Sequence, residues 1–173
     1  MRRSFASLNA QEALHAAIFI EERNAGIYHR FAEMFTEFRD PDSLEIASVF
    51  WDMAVEERRH SGVLQEKYQE RYGNAGCALT EEDLEDMIEV PRLDDGDVFR
   101  DPTSAKDSTR ECALRVVLEA EQSAQNYYSC LAEQTRDTHL RRLYSELATM
   151  EDGHVVYLEN VLSASASKDK GVR

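Results

Sequence analysis

Residues that break helices are scarce in this sequence, which has 7 glycines and 3 prolines among 173 residues. Strand-and-turn folds need frequent turns, and glycine and proline build most of them. The shortage therefore favours long helices over such a fold. The length is sufficient for one domain with a sizeable core.

Cysteine is also rare, and its three copies, Cys77, Cys112 and Cys130, lie far apart. Because no Cys-x-x-Cys pair occurs, the sequence offers no rubredoxin-type or zinc-ribbon site. Scattered thiols suit a reducing compartment, so we expect a cytoplasmic protein. No apolar run approaches the ~20 residues of a membrane span, and we expect no membrane helix and no signal peptide.

Basic residues are outnumbered, since 20 Lys and Arg face 34 Asp and Glu, for a formal net charge of −14. Such a surface repels phosphates and anionic lipids, so we expect neither nucleic acid nor a membrane as a partner. It also attracts cations, although keeping the protein soluble accounts for most of this charge.

Four long helices are predicted from the spacing of apolar residues and from capping signals. A capping box at Asn9–Glu12 opens the first, and Asp40–Pro41 separates it from the second. The first three predicted helices cover about residues 9–39, 42–72 and 108–134. The fourth follows a turn at 136–138 and ends near residue 162.

A connector of about residues 73–107, with a short acidic helix at 81–88, separates the second helix from the third. Its acidic residues do not meet the spacing of an EF-hand loop, so we expect a solvated segment. It is long enough to join two helical hairpins along a bundle. We therefore predict a single all-α domain over 1–162, a four-helix bundle of two antiparallel hairpins with a long crossover, and a flexible tail over 163–173.

The two predicted hairpins repeat each other in sequence. In the first and third helices the matching pairs are Leu14/Leu114, Ala17/Val117, Glu21/Glu121, Tyr28/Tyr128, Phe31/Leu131, Ala32/Ala132 and Glu33/Glu133. In the second and fourth they are Phe50/Tyr144, Met53/Leu147, Ala54/Ala148, Glu57/Glu151, His60/His154 and Leu64/Leu158. A chance alignment of amphipathic helices would match apolar positions, but not the charged residues among them.

Six of the repeated residues are polar, although they lie on the apolar stripes of their helices. They are Glu21, Glu57, His60, Glu121, Glu151 and His154. A buried carboxylate without a partner is costly, and two residues three apart on a helix point the same way. Four glutamates and two neutral imidazoles would together balance two divalent cations. One Glu from each of two helices, and Glu-x-x-His from each of two others, is the ligand set of ferritin-like di-iron and di-manganese bundles.

On these residues the sequence resembles the ferritin-like superfamily, within it the rubrerythrin and erythrin branch, and also bacterioferritin. The resemblance implies that Glu57 and Glu151 bridge two irons or bind one each. It implies that Glu21 and His60 complete one ion, and Glu121 and His154 the other. Tyr28 and Tyr128, seven residues after the lone glutamates, are at positions of tyrosines that lie next to the ligands in related proteins.

The sequence departs from these relatives at several points. Leu118 stands where rubrerythrins have an additional glutamate, and no rubredoxin domain is present. Arg58 stands where bacterioferritin has its haem-binding methionine, so we expect no haem. No fifth helix of the kind that helps close a storage cage is evident. The resemblance is thus to a rubredoxin-less, erythrin-like protein.

The function implied by this resemblance is that of a non-haem di-iron oxidoreductase. It would reduce H₂O₂ or O₂, with electrons from an external donor such as a rubredoxin-like protein. An alternative is a ferroxidase that oxidises Fe²⁺, and a further one is a non-catalytic metal-binding bundle. Manganese or a mixed centre suits the same ligands. The resemblance also implies a homodimer.

Other polar and small residues have simpler interpretations. His15, His29 and His139 have no partnering pattern and are expected near the surface. Gly153 lies between two predicted ligands, and we expect it to leave space near the metal or to relieve crowding.

Overall fold

The structure is a computed structural model that describes residues 5–87 and 106–169. Over these two ranges every regular element is helical and no strand occurs. After a short 3-10 turn at Phe5–Ser7, the elements are α1 (Ala10–Phe38), α2 (Pro41–Tyr72), α3 (Glu81–Met87), α4 (Lys106–Gln134) and α5 (Thr138–Asp169). The predicted all-α fold class with four long helices is confirmed.

The starts of the first two long helices are fixed by their caps. The Asn9 side chain accepts hydrogen bonds from the backbone N–H groups of Gln11 and Glu12, and Glu12 accepts one from Asn9 N at 3.0 Å. The Asp40 carboxylate accepts from Ser43 N at 3.0 Å, with Pro41 in the first turn of α2. These caps satisfy amide groups that have no partner within the helix.

The chain divides into two compact units, Met1–Glu89 and Val90–Arg173. In the first, α1 and α2 run antiparallel: Gln11 Nε2 donates to Tyr68 Oη at 2.8 Å at one end, and the Phe31 and Phe50 rings meet at 5.6 Å nearer the turn. Phe35 stacks on Phe50 at 5.8 Å. This aromatic core holds the two helices in one register.

In the second unit α4 packs along α5, and both helices have buried tyrosines. The Tyr128 ring stacks on Tyr144 with centroids 6.4 Å apart, and Tyr127 lies beside Tyr128 at 5.8 Å. Burial raises the pKa of the Tyr127 phenol well above its ordinary range, and the proximity of Tyr144 and Cys130 adds to this. Tyr127 therefore stays protonated under ordinary conditions.

The predicted connector is only partly a solvated segment. Helix α3 lies against α1, and Leu79, Leu84 and Met87 are buried. Their apolar area is better removed from water, although the acidic residues around them suggested exposure. The rest of the predicted connector, residues 88–105, lies outside the described residues.

Two helix ends differ from the prediction. Helix α4 begins at Lys106, two residues before the predicted start at 108. Neither Lys106 nor Asp107 is a residue type that prevents helix formation, and helix ends vary by one or two residues. Helix α5 continues to Asp169, beyond the predicted end at Leu162. Because no glycine or proline follows Leu162 until Gly171, an established helix elongates at little cost through serine and alanine. Among the described helices, none has the length and apolar character required to cross a bilayer.

Candidate metal centre

The first unit brings three predicted ligands together. Glu21 lies on the buried face of α1, and Glu57 and His60, three apart in α2, lie on one face of that helix. Glu21 and Glu57 are 0% exposed and His60 is 7% exposed. One ligand atom from each of the three lies within 4.8 Å of the others. We call these residues the first triad.

The second unit repeats this arrangement on α4 and α5 with Glu121, Glu151 and His154. Both carboxylates are fully buried, and His154 is partly buried. Their ligand atoms also lie within 4.8 Å of one another. We call these residues the second triad. The repeat that the sequence predicted is therefore present in three dimensions within each unit.

The same histidine nitrogen faces the carboxylates in both triads. His60 Nδ1 lies 3.2 Å from Glu21 Oε2. His154 Nδ1 lies 3.3 Å from Glu121 Oε2 and 3.5 Å from Glu151 Oε2. At these distances an imidazole with a proton on Nδ1 donates a hydrogen bond to the carboxylates. A neutral imidazole without that proton can instead bind the same cation as they do. We therefore assign Nδ1 as the nitrogen that would coordinate a metal.

The donor set in each triad fits a divalent transition metal. Carboxylate oxygens and imidazole nitrogens suit iron and manganese, and no thiol is among them. Removing two carboxylates from water beside one histidine is unfavourable unless positive charge compensates them. A cation bound by the triad provides that charge.

The two triads are not equally enclosed. All six predicted ligands were expected to face the core, and five are buried, whereas the His154 side chain is 15% exposed. Ala148 is likewise less buried than its counterpart Ala54. The second triad is thus the more open of the two, a difference that the repeat in the sequence does not contain.

Four other glutamates of the long helices are exposed. Glu22, Glu33, Glu56 and Glu133 all face solvent. Glu22 accepts a hydrogen bond from Gln65 Nε2 at 2.6 Å, which ties α1 to α2 at the surface. Their exposure distinguishes these glutamates from the buried glutamates of the two triads.

Tyr28 and Tyr128 are both 0% exposed. Each follows the lone glutamate of its helix by two turns and lies on the same buried face. Tyr128 packs on Tyr144, so core packing accounts for part of its role. Their predicted role beside the ligands stays a prediction.

Gly153 does not leave space near the ligands, contrary to our expectation. It is exposed, and a Cβ added there would meet nothing within 4 Å. Glycine inside a helix costs up to about 1 kcal/mol relative to alanine. We therefore expect Gly153→Ala to raise the melting temperature by about 2–4 °C with metal content unchanged, as measured by calorimetry and metal analysis.

The matched control for that variant is Gly73→Ala. Gly73 ends α2 with a φ of 57°, a conformation that disfavours side chains, so this change should lower stability. A loss of metal or stability in Gly153→Ala would contradict the assignment of Gly153 to an exposed helix face.

Sequence reasoning missed one polar residue on the buried face of α1. Asn24 is 2% exposed and lies one turn after Glu21. The repeat could not reveal it, because the matching residue of α4 is Ala124. A search for polar residues on the apolar stripe that lack a counterpart in the repeat would have found it.

In a comparison with protein families, the rubrerythrin family model matches residues 12–92. This region contains nearly all of α1, the whole of α2 and α3, and the first triad. The resemblance to rubrerythrins, and with it to the ferritin-like superfamily, is thereby confirmed, whereas the likeness to bacterioferritin is not specifically supported. No curated protein matches the chain.

Two solved structures share the fold. One is an uncharacterised conserved protein from Magnetospirillum magnetotacticum MS-1, 22% identical, with 91% of this chain and 95% of that chain covered and a TM-score of 0.67. The other is a hypothetical protein from Pyrococcus furiosus, also 22% identical, with coverages of 94% and 93% and a TM-score of 0.72. Both alignments extend well beyond the region that the family model matches, so the shared helical fold covers most of the chain.

Proposed function

We propose, from the premise that residues 12–92 are of the rubrerythrin type, that this chain is a di-iron oxidoreductase that reduces H₂O₂. The observation that carries the proposal is the pair of buried triads, each with two glutamates and one histidine. The proposal joins the two triads into one centre with four glutamates and two histidines, the ligand set known from ferritin-like bundles.

Charge balance supports two divalent ions rather than one. Four carboxylates contribute −4, and two divalent ions with neutral imidazoles contribute +4. Reduction of H₂O₂ to two molecules of water takes two electrons and two protons, and a pair of ferrous ions supplies both electrons when bound. An external donor then returns two electrons, since the chain holds no rubredoxin-type cysteine site.

The chain's own residues have separate tasks in this proposal. Glu57 on α2 and Glu151 on α5, both fully buried, would share the charge of both ions. His60 and His154 would bind through Nδ1 as neutral imidazoles. The apolar residues around the triads exclude bulk water, which strengthens the electrostatic interactions within the centre.

The experiment is stopped-flow absorbance on protein loaded with Fe²⁺ without oxygen and then mixed with H₂O₂ or with O₂. Two irons per chain and much faster oxidation by H₂O₂ are expected. Faster oxidation by O₂, with continued turnover of added Fe²⁺, would replace this proposal with the ferroxidase. Bound metal that reacts with neither oxidant would leave a structural metal-binding bundle.

A further inference from the structure

The amide group of Asn24 is buried in the apolar face of α1 without a visible structural task. Asn24 is 2% exposed, and among the described residues its Nδ2 atom meets no hydrogen-bond acceptor. A buried donor left in this state costs free energy, so such groups are rare in proteins and commonly have a functional reason.

The position of Asn24 on the helix places it next to the first triad. It follows Glu21 by one turn and precedes Tyr28 by one turn, and both neighbours are fully buried. Residues three apart on a helix have Cβ atoms about 5–6 Å apart. Helical side chains also lean toward the N-terminus, which directs the Asn24 amide toward the turn that carries Glu21.

Asn24 and Glu22 lie on opposite sides of Glu21. At about 100° per residue, Glu22 lies about 100° to one side of Glu21 and Asn24 about 60° to the other. Glu22 accepts hydrogen bonds from Ser61 and Gln65 of α2. The Nδ2 atom of Asn24 has no such partner among the described residues.

Packing does not require an amide at this point. The corresponding residue of the repeat is Ala124, which is 1% exposed in the second unit. An apolar side chain is thus compatible with the same position in the other hairpin. The first unit thus has a hydrogen-bond donor at a position where the second unit has the methyl group of Ala124.

We propose that Asn24 Nδ2 donates a hydrogen bond to a small ligand held at the proposed metal centre. This ligand is either an oxygen species such as H₂O₂ or a small anion. This inference rests on the proposed function and adds a residue that orients the substrate. The donor binds an acceptor atom of the ligand, which makes the centre asymmetric, with the ligand nearer to the first triad.

The first test measures stability without metal. In the presence of a chelator, Asn24→Leu replaces the amide by an apolar group of similar shape, so its melting temperature should rise by about 3 °C. Asn126→Leu is the control, since Asn126 is exposed on α4, and it should change little. A fall in melting temperature, or failure of Asn24→Leu to fold, would mean that the amide has a structural partner and would overturn the inference.

The second test measures azide binding to the ferric protein by its charge-transfer absorbance, with metal content determined first. Azide is a small anionic acceptor, and loss of one hydrogen bond to it should raise its Kd about tenfold in Asn24→Leu. Asn24→Ala, which adds no bulk, should show the same loss and exclude a steric cause. Asn126→Leu should bind azide like the wild type.

The outcomes separate this inference from the function on which it rests. If all variants hold two irons and bind azide equally, Asn24 has no ligand role, whereas the di-iron proposal stands. If the wild type binds no iron, the proposed function fails, and this inference fails with it.

Discussion

Saturating the metal-free protein with Mn²⁺ is expected to raise its melting temperature by roughly 10–20 °C. Each triad encloses two fully buried carboxylates beside a histidine, and this charge is unfavourable until a cation compensates it. A ligand that binds only the folded state at a hundred times its Kd adds about 2.7 kcal/mol per site. Two sites add about 5 kcal/mol, and each kcal/mol raises the melting temperature of a chain of this size by about 2–4 °C. Differential scanning calorimetry with and without Mn²⁺ measures the shift.

The variant that isolates the cause is Glu57→Gln combined with Glu151→Gln. Amides of the same shape remove both central charges, so most of the shift with Mn²⁺ should disappear. Glu56→Gln is the matched control, because Glu56 is the exposed neighbour of Glu57. It should keep the full shift. An equal shift in the double variant would mean that Mn²⁺ stabilises the protein at the acidic surface and not through the triads.

The sequence predicts which residues lie together in the two triads, because their pattern has few alternative explanations. Carboxylates on apolar stripes, such as those of Glu21 and Glu121, must be compensated after burial. The repeat pairs the helix of each with a second helix that carries Glu-x-x-His. Helical geometry then places Glu57 and His60 on one face without further information. Sequence alone therefore identifies all six residues that the two triads contain.

Other features depend on packing and could not be read from local pattern. The exposure of His154 and the burial of α3 against α1 depend on which helices lie nearby. Gly153 appeared significant because of its neighbours in sequence, yet it faces solvent. The predicted end of α5 at Leu162 lies seven residues before the observed one at Asp169, because serine and alanine resemble a tail in composition although neither stops a helix.

Removing either histidine alone is expected to slow the oxidation of bound iron by H₂O₂ by at least about a hundredfold. Groups that only support a ligand cost 10–100-fold in metal affinity or activity when they are lost, and a direct ligand should cost at least as much. His60→Ala and His154→Ala should each lower iron toward one ion per chain. Stopped-flow absorbance and metal analysis measure both effects.

The equality of the two variants is what tests a shared centre. Reduction of H₂O₂ to water takes two electrons, so two ferrous ions that act together fail when either site is damaged. Two independent sites would instead leave about half of the iron reacting at its normal rate in each variant. His139→Ala is the control, because His139 is exposed at the start of α5, and it should retain the metal and the rate. His60 and His154 lie in different hairpins, so a loss of comparable size in both variants supports one dinuclear centre built from the two triads.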